Sequence, residues 1–172
     1  IIKSLNGPRQ TIIDGATMGR VINVVASGSI DLEGFTIRGG ATQQPGAGIS
    51  LNDSGNRIAN CIFWGNHNYR QDPYNIYNTG GALRINKGHT TIENCLFYEN
   101  TAENGSAIRA EYYSGNPVNI LNCTFANNGN DTTGMIISGH QEVYVVNSII
   151  RDNHFTNTPV SGSVNVSYSN VE

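Results

Sequence analysis

Arg84 and Arg109 occupy the same place in two copies of a short block, GGALRI from Gly80 and GSAIRA from Gly105. Two guanidinium groups held at equivalent positions suit carboxylates or sulfates, which accept paired N–H donors, and they repel each other unless an anion lies between them. Glu111 follows Arg109 by two residues, and His140 stands in a later copy of the same stretch. A carboxylate and an imidazole are therefore available for proton transfer or for charge balance. The chemistry suggested is recognition of an acidic sugar in a shallow groove. A solvated sheet face whose charges balance one another is the plainer reading of the same residues.

Aromatic residues offer a second kind of contact. The stretch NHNYRQDPYNIYNTG (66–80) carries Tyr69, Tyr74 and Tyr77, with Trp64 just before it, and Tyr112 lies in a smaller insertion. Aromatic faces stack on sugar rings, and long loops on a rigid scaffold are where binding concentrates. Packing of the loop onto the scaffold would use the same side chains. No metal site is indicated, since Asp14, Asp31, Asp53, Asp72, Asp131 and Asp152 are scattered rather than clustered.

These positions gain meaning from the elements that carry them. TTIENCLFYEN (90–100) recurs as RIANCIFWGN ending at Asn66, VNILNCTFANN ending at Asn128 and VYVVNSIIRDN ending at Asn153. The inner Asn falls at 60, 94, 122 and 147, in steps of 34, 28 and 25, with weaker copies at Gly34 and Tyr168. A Gly-led block precedes each copy: GAGISL, GGALRI, GSAIRA and, less closely, TGMIIS. A unit of this size cannot bury its own apolar face and must stack on its neighbours. Apolar residues recur at every second place and no window shows a period of 3.6, so the units are made of short strands.

The expected fold is all-β, a right-handed single-stranded parallel β-helix of about six to seven coils forming one domain over 1–172, with an antiparallel sandwich as the rival. Like then lies on like. Asn60, Asn94, Asn122 and Asn147 are expected at left-handed bends, forming a buried ladder of bonded amides. Phe63, Phe97 and Phe125 form an aromatic stack, and Cys61, Cys95 and Cys123 a column of buried free thiols whose parallel side chains disfavour a disulfide. Aligning the Gly-led blocks turns Ile49, Leu83, Ile108 and Ile136 inward and gives Ser50, Arg84, Arg109 and Ile137 one outward column.

Composition fits. There are 24 Asn and 20 Gly among 172 residues, and both tolerate the backbone of tight bends. A net charge of −3 without basic clusters gives nucleic acid nothing to bind, and no apolar run is long enough to span a bilayer. The opening IIKSLNGP, without Met, and the stop at Val171-Glu172 read as a piece of a longer protein cut within a coil at both ends. Exposed edges at such ends would allow self-association into a stacked fibre.

FWGN (63–66), FYEN (97–100) and FANN (125–128) share an F-x-x-N form, and GGAL (80–83) has a G-G-A-aliphatic form. In these the chain resembles the repeats of chlamydial polymorphic outer-membrane proteins and of secreted bacterial β-helix proteins of the pectate-lyase-like superfamily. The resemblance implies an extracellular or cell-surface bacterial module, adhesive, structural or glycan-binding, or else a lyase or hydrolase acting on acidic polysaccharide. The polygalacturonase signature of paired Asp with Gly-His-Gly is missing, because Gly88-His89 and Gly139-His140 are each followed by another residue. The acidic cluster through which a pectate lyase binds Ca²⁺ is missing too, which argues against catalysis. No cofactor is indicated, and Ca²⁺ is the one ion left open.

Overall fold

The computed structural model describes residues 1–25, 28–53, 55–69, 79–111, 116–131 and 133–172. Among these residues every regular segment is a β-strand and there is no helix, so none is long and apolar enough to cross a membrane. The alternation seen in sequence sets the faces. In Thr90–Glu93, for example, Thr90 and Ile92 are buried while Thr91 and Glu93 are half-exposed.

The strands fall into rows. The first row holds Ile22–Val24, Ile49–Leu51, Leu83–Ile85, Asn104–Ala110 and the start of Met135–Val146. The second holds Ile2–Lys3, Asp31–Glu33, Asn56–Ala59, Thr90–Glu93, Val118–Leu121 and the end of Met135–Val146. That long strand belongs to both rows, which makes them one strongly curled sheet of eleven strands, with Val160–Ser167 paired along it. The third row is a separate sheet of seven: Ile12–Asp14, Thr36–Arg38, Ile62–Trp64, Leu96–Tyr98, Thr124–Ala126, Ile149–Arg151 and Asn170–Val171. Every strand pairing is parallel, which removes the antiparallel alternative for the described residues.

Corners are made by single residues of left-handed backbone. Between the second and third rows stand Gly34, Asn60, Asn94, Asn122, Asn147 and Tyr168, with φ of 81°, 52°, 54°, 54°, 51° and 48°. Such φ values cost most residues energy, and Gly and Asn least. A second left-handed residue closes the third row at Gly39, Gly65, Glu99, Asn127 and Asp152.

Between the rows runs a continuous apolar core. Leu32, Ile58, Ile92, Ile120 and Val145 lie in register in the second row, and Ile37, Phe63, Phe97, Phe125 and Ile150 in the third, all buried. The Phe63, Phe97 and Phe125 rings stack at 4.8 and 4.7 Å with interplanar angles of 2° and 8°, the spacing that parallel strands impose. Burial of each ring contributes about 2 kcal/mol.

Two expectations need correction. Asn60, Asn94, Asn122 and Asn147 do lie at the bends, but their side chains are exposed rather than buried. The Asn60 amide reaches Glu33 Oε1 at 3.4 Å. A left-handed corner turns the side chain outward, so the bonded amide ladder forms elsewhere, at the Asn that closes each repeat. Asn66, Asn100 and Asn128 are fully buried, and each Oδ1 accepts from the repeat before it. Asn66 N and Nδ2 donate to Asn100 Oδ1 at 3.1 and 3.0 Å, Asn100 to Asn128 at 3.0 and 3.0 Å, and Asn128 to Asn153 at 2.9 and 3.0 Å. The second correction concerns Ile137. It pairs with Ile108 and is buried, so Ser138 rather than Ile137 stands beside Arg109. The register shifts between Asn104 and Ile108, upstream of that pair.

Candidate anion-binding face

The outward side of the first row positions the four residues singled out for chemistry. Parallel register sets Asn23, Ser50, Arg84, Arg109, Ser138 and Ser161 side by side across successive strands. Arg84 and Arg109 are thus direct neighbours. Their charges are handled differently.

Arg84 is paired. Its Nη2 and Nε lie 2.6 and 3.0 Å from Glu111 Oε2, and both side chains are only 17% exposed. Nη1 donates to Asn52 Oδ1 at 3.1 Å and Nη2 to Asn86 Oδ1 at 3.1 Å, while Thr79 Oγ1 donates to Glu111 Oε1 at 3.2 Å. Arg109 has neutral partners. Its Nη1 donates to Ser138 Oγ and its Nη2 to His140 Nε2 at 3.1 Å, which requires that ring nitrogen to present its lone pair. Arg109 Nε is buried and bonds nothing among the described residues. Burial lowers the Arg109 pKa from its ordinary value, and the nearby Glu111 charge only partly opposes this.

A third guanidinium enters that the motifs did not mark. Arg20 donates to Pro45 O at 2.7 Å, Gly46 O at 2.9 Å and Asn23 Oδ1 at 3.2 Å, all uncharged acceptors. Its pKa is lowered first by burial and then by the charge of Arg84. Between Arg20 and Arg84 opens a cleft of about 440 Å³ walled by Asn23, Gln44, Ser50 and Asn52. A sequence signal for Arg20 exists: Gly19-Arg20-Val21-Ile22 aligns with Gly46-Ala47-Gly48-Ile49, and Ile22 pairs with Ile49.

The aromatic candidates lie apart from this face. Trp64 projects from the third row, 41% exposed, with its Nε1 donating to Glu99 Oε2 at 2.8 Å and the Arg38 guanidinium 5.5 Å from its ring. Tyr69 stacks on His67 at 5.6 Å and borders a depression shared with Thr42 and Gln44. Since Gln44 also walls the Arg20 cleft, Tyr69 is, of the two described aromatic candidates, the one nearer the cationic face. Tyr74, Tyr77 and Tyr112 lie outside the described residues. The structure therefore brings Arg84, Arg109, Glu111 and His140 together and puts Trp64 on a different sheet.

Three aspartates elsewhere are tied to arginine. Asp14 bonds Arg38 at 2.8 Å, Asp31 bonds Arg57 at 3.0 Å and Asp152 bonds Arg151 at 2.9 Å. No group of three or more His, Cys, Asp and Glu side chains among the described residues is arranged to enclose a metal ion. Comparison of the chain with protein-family models, with curated proteins and with solved structures finds no match. Fold and chemistry here define an all-β protein of stacked parallel strands with a guanidinium-lined sheet face.

Proposed function

We propose that this chain is a right-handed parallel β-helix of six to seven coils, akin to the pectate-lyase-like superfamily, serving outside the cell as a module that binds acidic glycan. The observation that carries this reading is Arg109, a partly buried guanidinium beside a second one, with only uncharged partners of its own. An anion laid across Arg109 and His140 would offset that repulsion. Arg20, at the other end of the face, has the same need. Binding rather than turnover is favoured because Glu111, the carboxylate nearest the pair, is already bonded by Arg84 and Thr79.

Isothermal titration with polyuronate and sulfated oligosaccharides at low salt tests the reading. Arg109→Gln is expected to weaken binding by about tenfold or more, in line with loss of one charge-assisted contact. Affinity should fall as salt rises, and no new reducing or unsaturated ends should appear. Absence of binding to every acidic glycan tried, or binding indifferent to Arg84→Ala and Arg109→Ala together, would reject it. End-to-end association is the second reading, favoured by Ile2, Leu5, Ile12 and Met18, which are 52%, 96%, 45% and 88% exposed near one another in the chain. A sedimentation coefficient that stays constant with concentration would rule against it.

A further inference from the structure

The three thiols stand in line. Cys61, Cys95 and Cys123 are flanked by residues paired in register on both sides, Ala59, Glu93 and Leu121 before them and Ile62, Leu96 and Thr124 after. All are free, and they are 1%, 3% and 1% exposed. Their orientations repeat as well. Each Sγ lies 3.1, 3.2 and 3.3 Å from the carbonyl two residues earlier, and 3.8, 3.7 and 3.8 Å from a carbonyl of the preceding repeat.

Identical orientation on stacked strands puts consecutive sulfurs one strand spacing apart, the 4.8 and 4.7 Å measured between the Phe rings of the same repeats. The zinc–thiolate bond of roughly 2.3 Å, taken as a guide for other thiolate-bound metals and doubled, spans roughly 4.6 Å. One ion therefore fits on the line between two sulfurs. A depression of about 380 Å³ opens over the column between Asn60, Asn94 and Asn122 and provides a path inward. We propose that the Cys61, Cys95 and Cys123 column binds a soft monovalent cation, Cu(I) or Ag(I), held linearly between Cys95 and one neighbouring thiolate.

Softness selects the metal. Thiolate sulfur prefers such ions, whereas Zn²⁺ wants four ligands and Ca²⁺ wants oxygens, neither of which the column supplies. Charge and protons balance without an oxidant: two S–H bonds break, two metal–sulfur bonds form, and two protons leave to water. Because each ligand gives up its proton as the metal binds, affinity should rise with pH.

Reduced protein titrated anaerobically with Ag(I), and separately with Cu(I) supplied as its acetonitrile complex, tests the site through thiolate-to-metal absorption and indicator-detected proton release. The expected result is one ion bound per chain with two protons released. Affinity should fall by at least about tenfold in Cys95→Ala and be kept in Cys61→Ala and Cys123→Ala, each of which leaves one adjacent pair. The double variant Cys61→Ala/Cys123→Ala, which leaves the central thiol alone, should lose binding equally and carries the test if Cys95→Ala does not fold. Undiminished binding in the double variant, or uptake that occurs only as the β-sheet circular dichroism is lost, would overturn the proposal.

Discussion

Two asparagines of each repeat occupy different physical situations, although their residue type is the same. Asn100 is fully buried, accepts from Asn66 N and Nδ2, and donates to Asn128 Oδ1 and to Phe63 O at 2.9 Å. Asn100→Ala would leave buried donors on Asn66 without an acceptor, at about 1–3 kcal/mol for each unsatisfied group. A loss of about 3 kcal/mol in urea unfolding is expected. Asn94 is exposed and serves through its φ of 54°. Asn94→Gly should change stability by less than about 0.5 kcal/mol, whereas Asn94→Val, which resists that backbone, should cost about 1–2 kcal/mol. Reversed sensitivities in the two melts would mean the roles are assigned the wrong way round. Both asparagines are visible in the sequence as repeats, but which one is buried is not. Burial depends on whether the left-handed corner falls on the Asn itself or on the residue before it.

At the scale of the strand, close backbone approach explains the Gly-led block. A Cβ on Gly81 would sit 2.2 Å from Ser106 O and 2.6 Å from Thr101 O, both backbone atoms. Gly81→Ala should therefore destabilise by about 1–3 kcal/mol through displaced strands, visible in a denaturant midpoint, despite alanine's small size. The second row contributes charge in the same register logic. Arg57 bonds Asp31 at 3.0 Å, Glu93 at 2.6 Å and Glu33 at 3.4 Å, and Lys3 bonds Glu33 at 2.9 Å. Lys3, then Arg57, holds the Glu33 carboxyl below its ordinary range, and the Ala16 N–H and Arg38 do the same for Asp14. A carboxyl whose folded pKa is depressed stabilises above its unfolded value and loses that contribution as pH falls through the folded one. Stability should thus decline below about pH 4, and Arg57→Gln should flatten that decline. An unchanged slope would show that other groups govern the acid limb. Strand order and core columns were legible here because period two and repeat spacing agree. The Ile137 misplacement came from matching Thr133 rather than Gly134 to Gly105, since three residues on from each glycine stand Ile108 and Ile137, which pair, and Arg20 was hidden because its block keeps only one of the glycines.

For the whole molecule, parallel pairing means that each strand bonds to one a repeat away in the chain, and among the described residues there is no hairpin to form early. Loop closure must then precede most stabilising contacts, and refolding from urea is expected in seconds or longer rather than milliseconds. Stopped-flow fluorescence of Trp64, which sits in the third row, reads this directly; submillisecond recovery would contradict it. The Asn66–Asn100–Asn128–Asn153 line also makes the molecule editable in units. Its links are 34, 28 and 25 residues apart, yet each presents the same donors and acceptor to the next. Excising residues 100–127 would join Glu99 to Asn128, handing Asn66 a new partner equivalent to the old one, whereas removing a few residues within a strand would leave no such match. Length in this protein can be inherited by whole-copy gain or loss, with recombination tolerated wherever two equivalent asparagines are exchanged.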